Sequence, residues 1–394
     1  MVDVPETTQD ADAAFVTEAL RSSGVLASGT RVAEVEHDTI GEGVGIVGQL
    51  ARLQLRYDGQ ATGAPGTVIL KIPSQYPENR AVGDHFNFYE REGRFYQQLA
   101  SKVPVRTADC YWNHIDAATR SYGMLLEDLG DRTMISQVAG VPGTRAAEAL
   151  RALARLHGTW WGAPVLDSLD WMPRLDEPIN LAAGQQYRDA WPVFLERIGD
   201  AIGPDAIELG DRTQHVFEDL LLAGIQEAPV AVCHGDFRAD NLMFDDQAGP
   251  RDEVAVLDWQ ISYRGPAITD VAYFLCQSLT VEDRRAHEAE LVRGWYDQLE
   301  ATVRELHGTT LDDYPFDLAW TQYRRASLGT TVDDYPFDLV WTQYRRASLG
   351  TTVYAVSAMG AMDVANERGR ELVTAMAVRS FTAAIDLDAR PLLP

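Results

Sequence analysis

Residues Val230 to Gln260 read VAVCHGDFRADNLMFDDQAGPRDEVAVLDWQ. Two short apolar runs, Val230–Cys233 and Val254–Leu257, read as buried strands. Each delivers polar residues at its end: His234, Gly235 and Asp236 after the first, Asp258 after the second. Asn241 follows five positions after Asp236. Asp245, Asp246, Gly249 and Pro250 supply turn chemistry between Met243 and Val254, so the order is loop, strand, turn, strand.

This spacing suits one chemistry. Phosphoryl transfer needs a carboxylate that orients the attacking hydroxyl and accepts its proton, together with oxygen ligands for Mg²⁺ on the nucleotide phosphates. Mg²⁺ takes one or two carboxylates plus phosphates and waters. Asp236 is the candidate catalytic carboxylate; Asn241 and Asp258 are the candidate metal ligands. Taken singly, Asp236 and Asn241 are ordinary loop residues and Asp258 a strand-end turn former. The whole frame, with two flanking strands and a second Asp, favours a site.

The H-x-D-x-x-x-x-N frame followed by a strand-borne Asp is also the arrangement of protein kinases, with Gly235 where those carry Arg and Asp258-Trp259-Gln260 where they carry D-F-G. The form HGDFRADN then LDWQ resembles the aminoglycoside phosphotransferase and ecdysteroid-kinase-like families of small-molecule kinases.

Bulk properties bound the answer. A chain of 394 residues with 46% hydrophobic residues holds a core of normal size. It contains no apolar run of transmembrane length. The start, MVDVPETTQDADAAF, lacks the basic and apolar regions of a signal peptide. Cys110, Cys233 and Cys276 are odd in number and far apart, which argues for a reducing, cytoplasmic setting and against a disulfide framework or a zinc site. The net charge of −25 disfavours nucleic acid and anionic membrane surfaces as partners. It mildly favours a cationic or neutral small-molecule acceptor.

Asp12 to Leu20 reads as a short helix capped by Asp10 or Asp12 and stopped at Gly24. Arg31–Ile40 alternates like a strand and runs into Gly41-Glu42-Gly43-Val44-Gly45-Ile46-Val47-Gly48. Gly43, Gly45 and Gly48 fit G-x-G-x-x-G, for which a Rossmann turn is the first rival. That rival demands a helix after Gly48. Gln49–Tyr57 instead reads as a strand, which places the glycines on a hairpin tip, as in a phosphate-covering loop or a plain Gly-rich hairpin. Thr67–Ile72 is a further strand carrying Lys71, one of only two lysines, the other being Lys102. A compact ammonium on a flexible stem reaches phosphates from a strand where Arg fits poorly.

His85–Leu99 reads as one amphipathic helix, with Glu92 and Glu90 as rival partners for Lys71. The family resemblance selects Glu92, which stands just before the Phe95-Tyr96 pair. It also makes Tyr122–Leu126 and the following Glu127-Asp128-Leu129-Gly130 an interlobe hinge, whose Glu127 carbonyl and Leu129 amide would bind adenine. An acidic strand-to-helix turn accounts for the same residues. Arg145–Trp161 is helical, and His157 beside its apolar stripe reads as a packed histidine. Trp171, Tyr187, Trp191 and Phe194 fit either core filling or an acceptor wall. Arg238 fits either a loop ion pair or a contact to a phosphate or acidic acceptor. Asp270 opens a helix, and the resemblance implies that it braces the catalytic loop.

Residues 308–332 recur at 329–353, with only Leu311/Val332 and Ala319/Val340 differing. The tandem unit is thus 312–332 followed by 333–353. Two copies do not make a solenoid. Each reads as a self-capped helix, and the expectation is that one copy docks while the other is peripheral. Tyr323, Arg324 and Arg325, or Tyr344, Arg345 and Arg346, fit either an acceptor border or plain surface.

The resemblance covers nearly the whole chain. It implies an α+β, two-lobed, protein-kinase-like fold: a nucleotide-binding lobe over 1–126 with an antiparallel sheet plus helix, and a mainly helical catalytic and acceptor-binding lobe over 127–394. It further implies ATP and Mg²⁺ as cofactors and a small-molecule hydroxyl as acceptor. Resembling families act on aminoglycosides, choline-like alcohols, steroids, sugars and hydroxyacyl compounds; HGDFRADN is spelled most like the steroid and hydroxyacyl relatives. Three rival classes are a catalytically silent kinase-fold nucleotide-binding protein, a nicotinamide enzyme built on Gly43–Gly48, and a protein kinase. The last is disfavoured by the lack of an A-P-E motif after Asp258.

Overall fold

The computed structural model describes residues 2–40, 47–59, 61–215, 217–218, 222, 229–249, 252–326, 352–353, 355–357 and 367–386. The chain forms two compact units. The first comprises Met1–Lys102, Thr107–Thr133 and Val256–Ile261; the second comprises Val103–Arg106, Met134–Ala255 and Ser262–Pro394.

The first unit is built on five antiparallel strands in the order β1-β2-β3-β5-β4. These are Arg31–Ile40 (β1), Gly48–Asp58 (β2), Thr67–Pro73 (β3), Cys110–Asp116 (β4) and Ser121–Glu127 (β5). The period of two buries Ala51, Leu53 and Leu55 on one face of β2, while Gln54 and Arg56 point to water. β1 runs antiparallel to β2, with Ile40 opposite Leu50. A strand after Gly48 removes the helix that a dinucleotide-binding turn requires, so the nicotinamide alternative fails on this geometry. Gly43 and Gly45 lie outside the described residues. Gly48 sits opposite Pro73, where an added Cβ would lie 3.4 Å from the Ile72 carbonyl oxygen.

Helix α1 (Ala13–Ser22) is capped by Asp12, whose carboxylate accepts from the Phe15 amide at 2.8 Å. Its Val16, Ala19 and Leu20 join Leu53, Val68, Leu70 and Leu125 in one apolar core. The helix expected over His85–Leu99 is α3 (Phe88–Gln98), and a further helix, α2 (Pro77–His85), precedes it. Asn87 separates them with φ of 55°, a conformation Asn tolerates better than most residues. Strand β4 has no counterpart among the elements expected from the sequence.

The second unit is mainly helical: α4 (Gly143–Thr159), α5 (Ala183–Ile202), α6 (Pro204–Thr213), α7 (Ile268–Ser278), α8 (Val281–His307), α9 (Phe316–Ala326) and α10 (Glu367–Asp386). α4 packs along α8. Gly158 allows that approach, since a Cβ there would lie 2.7 Å from Thr302 Cβ. Tyr187, Trp191 and Phe194 are buried and stacked in series, so core filling accounts for all three. The stretch from Val230 to Gln260 supplies β6 (Val230–Cys233), β7 (Leu242–Phe244) and β8 (Val254–Val256). β6 pairs antiparallel with β9 (Tyr263–Pro266). Of the duplicated segment, the first copy provides α9, with Tyr314, Ala319 and Tyr323 fully buried. Residues 327–351 lie outside the described residues, and with them Tyr344, Arg345 and Arg346.

The architecture is the expected α+β, two-lobed, protein-kinase-like one. The compact units divide the chain differently from the single cut expected between 126 and 127. Val256–Ile261, which carries Asp258, belongs to the first unit, and Val103–Arg106 to the second. For Val256–Ile261 the cause is packing that no linear cut reproduces: Asp258 against Lys71 and Trp259 against Phe95.

Candidate active site

In the first unit, three residues remote in sequence converge. Lys71 leaves the middle of the sheet, opposite Leu50 on β2 and Met124 on β5. Its Nζ lies 2.6 Å from Glu92 Oε2 and 2.9 Å from Asp258 Oδ1. Glu90, the rival partner, is occupied by Arg94 one turn along α3. Glu92 is nearly fully buried and Lys71 mostly so, whereas Asp258 keeps 27% of its side chain exposed. Burial works against the Lys71 ammonium, but Asp258 and Glu92 outweigh it and its pKa is raised. Burial also pushes the Glu92 carboxyl up; Lys71 pulls it down and Asp258 adds to the rise. Asp258 has φ of 62°, a left-handed conformation that turns its carboxylate at a strand end. Next to it, Trp259 is fully buried with its indole Nε1 donating to the Val256 carbonyl.

The segment after β5 is tied down as well. The Glu127 amide donates to the Asp109 carbonyl at 2.8 Å. Asp128 accepts from Arg52 Nε at 2.7 Å. Burial would raise the Asp128 pKa, and the hydrogen bond and charge of Arg52 overcome this and lower it. The Leu129 amide, the expected adenine contact, donates no hydrogen bond among the described residues.

In the second unit, Asp236 stands after a left-handed Gly235, φ 87°. Its carboxylate meets three donors. Tyr273 Oη donates to Oδ1 at 2.7 Å. Asn241 Nδ2 donates to Oδ2 at 3.0 Å and to the Asp236 carbonyl at 2.8 Å. Arg238 Nε lies 3.1 Å from both oxygens and donates to Oδ2. The Asn241 hydrogens are thus spent inside the loop, which leaves its Oδ1 with no hydrogen-bond partner among the described residues. Arg238 also reaches Asp240 at 3.3 Å. Burial opposes its charge, but Asp236, Tyr273 and Asp240 outweigh this and raise its pKa. Of its two sequence readings, the loop ion pair is the one present.

The loop backbone hangs on Asp270. The amides of His234 and Gly235 donate to its two carboxylate oxygens at 2.7 and 2.9 Å. His157 Nε2 lies 3.2 Å from Asp270 Oδ2, while its Nδ1 accepts from Trp295 Nε1 at 3.3 Å. That pair of partners assigns the Nε2–H tautomer and makes His157 a packed, hydrogen-bonded residue. His157, Cys233 and Asp270 offer donor atoms within 4.8 Å of one another. The histidine is committed to Asp270 and Trp295, and the Cys233 thiol faces the Gly265 and Pro266 carbonyls at 3.5 Å. The trio is a hydrogen-bonded brace.

Tyr273 is the site residue that sequence reasoning missed. One signal was present: it lies three residues after Asp270, on the same helix face.

A family model described as the phosphotransferase enzyme family matches residues 60–306. The chain belongs to that family. An uncharacterized kinase-like protein of Caenorhabditis elegans is 32% identical over 186 residues, which make up 44% of this chain and 46% of that one. The chain therefore spans less than half the length of the curated relative it matches. A choline kinase from Cryptosporidium parvum Iowa II shares the fold with a TM-score of 0.54 and 11% identity, over 91% of this chain and 92% of that one. A mutant aminoglycoside 2'-phosphotransferase-IIIa in its GDP complex matches with a TM-score of 0.50 and 11% identity, over 96% and 98% of the two chains. At such identities the likeness is one of fold. No helix among the described residues is long and apolar enough to cross a membrane.

Proposed function

We propose that this chain is a small-molecule kinase that transfers the γ-phosphoryl group of ATP to a hydroxyl of its acceptor. The first unit binds the nucleotide; the second carries the catalytic loop and receives the acceptor. The observation that carries this reading is the Lys71 ammonium held between Glu92 at 2.6 Å and Asp258 at 2.9 Å. An ammonium so placed on a central strand is the phosphate-binding device that kinases require.

Asp236 orients the acceptor hydroxyl and takes its proton. The acceptor oxygen forms its bond to the γ-phosphorus as the bond to the bridging oxygen breaks, and ADP leaves. Lys71, kept in place by Glu92, contacts the phosphates. Glu127 and Leu129 hold adenine through the backbone. Each residue by itself has the chemistry for Mg²⁺: Asn241 offers an oxygen rather than its amide hydrogens, and Asp258 is a part-exposed carboxylate. These two would hold the ion, which supplies charge neutralisation on the phosphates. The fold relatives, a choline kinase and an aminoglycoside phosphotransferase by name, support a small-molecule acceptor. The net charge of −25 and the odd number of widely spaced cysteines suit a cytoplasmic setting.

The test is thermal stability with MgATP, and with ATP plus chelator. At a hundred times Kd, binding to the folded state adds about 2.7 kcal/mol. A Mg²⁺-dependent gain that Asp258→Ala abolishes is the expected result; no gain with any nucleotide would sink the reading.

A further inference from the structure

We infer that Tyr273 is a positioning residue for the proposed phosphoryl transfer, acting through Asp236; this rests on Asp236 being the base. The phenol is nearly buried on α7 and donates to Asp236 Oδ1 at 2.7 Å. On the other flank, Arg238 and Asn241 both donate to Oδ2. A carboxylate has about four acceptor positions, two on each oxygen. Three are taken: Tyr273 addresses Oδ1 alone, Asn241 addresses Oδ2 alone, and Arg238 Nε lies 3.1 Å from both oxygens. Tyr273 is therefore the donor that sets the direction of Oδ1, and one acceptor position is left for the acceptor's O–H.

The same helix face steadies the rest of the loop. Asp270, one turn before Tyr273, holds the amides of His234 and Gly235. Arg238 is steadied in turn by Asp240, whose Oδ1 accepts from the Gln137 amide at 2.9 Å. Carboxylate and backbone are thus fixed to one rigid element, which is what a general base needs for a near-attack geometry. Among the three donors, Tyr273 is the one that can be removed without altering the local charge or the Asn241 amide.

The experiment follows ADP release from MgATP with water as acceptor, together with thermal melts. Tyr273→Phe keeps the ring. Its kcat should fall about tenfold, the worth of one hydrogen bond to a charged group, with KM for ATP unchanged. Tyr296→Phe serves as control, since it removes a buried phenol that donates to the Tyr314 carbonyl at 2.8 Å far along the chain from the loop; it should lower Tm and leave kcat alone. The contact itself is checked without turnover: the Tm loss from Tyr273→Phe should shrink in an Asp236→Ala background. A kcat for Tyr273→Phe equal to wild type, or a Tm loss undiminished in that background, would overturn the inference. If Asp236→Asn released ADP as fast as wild type, the reading of the site itself would fail, and this inference with it.

Discussion

The ring of Phe95 lies flat against the indole of Trp259, with centroids 3.8 Å apart and planes 8° from parallel. Phe95 is one turn beyond Glu92 on α3, and Trp259 is next to Asp258. The stack therefore fastens together the two elements whose carboxylates grip Lys71. Trp259→Ala should cost about 3–5 kcal/mol of stability, as large aromatic deletions in cores do, and should abolish stabilisation by MgATP. Trp259→Phe, which keeps a stacking ring, should retain that stabilisation. Urea melts of both variants check the pair of outcomes.

Lys71→Met leaves the buried Glu92 without its partner. Breaking a buried pair from one side costs about 3–5 kcal/mol. The pH dependence has a definite sign. Burial and Asp258 raise the Glu92 pKa, and Lys71 is the cause that lowers it. Without Lys71 the folded value climbs further above the unfolded one, so the folded state takes up a proton first as pH falls. Part of the lost stability should return between pH 7 and pH 5 in the variant. Urea melts at several pH values measure it; equal losses at both ends would contradict this account of Glu92.

Asp270→Asn replaces a carboxylate that accepts two loop amides and faces the His157 ring. An Asn side chain has one acceptor oxygen, so one of the two amides is left without its bond. The cost should be about 1–3 kcal/mol, accompanied by slower turnover. His157→Phe should also destabilise, by stranding Trp295 Nε1 and removing one of the donors to Asp270. Melting temperatures and ADP release measured on the two variants separate loss of fold from loss of loop placement.

Deleting 333–353 leaves Ala319 in the helix that packs on α7, whereas deleting 312–332 puts the Val of the second copy at that place. Ala319 is fully buried. Two extra methyl groups there overfill the seat, at about 1–3 kcal/mol. The first deletion should therefore melt higher than the second, and equal melting temperatures would show that the seat has room.

Much of this was legible in the chain because the chemistry is local. HGDFRADN contains both Asp236 and the Asn241 that bonds to it. The strand carrying Lys71 announces itself by apolar alternation, and the choice of Glu92 over Glu90 is repeated by the geometry. Long-range pairings were not legible. Nothing near Arg52 points to Asp128, and nothing near His157 points to Trp295 and Asp270. Tyr273 sits in YFLC, where an aromatic residue reads as core. The helix break at Asn87 depends on one left-handed residue, which no hydrophobic period reveals. Asp258 belongs by sequence order with the second unit, and only its packing on α3 and Lys71 places it in the first.

The sheet order has a further consequence. β1 is at the margin of the sheet, with a neighbour on one side only among the described residues, whereas β3 is flanked by β2 and β5. Local opening costs least where fewest backbone bonds must part. Amide protons of β1 should exchange with solvent through such fraying, and those from Ile69 to Lys71 only when the whole unit opens. The Lys71 position is thereby insulated: the margin can come and go many times within the lifetime of a single Lys71 placement.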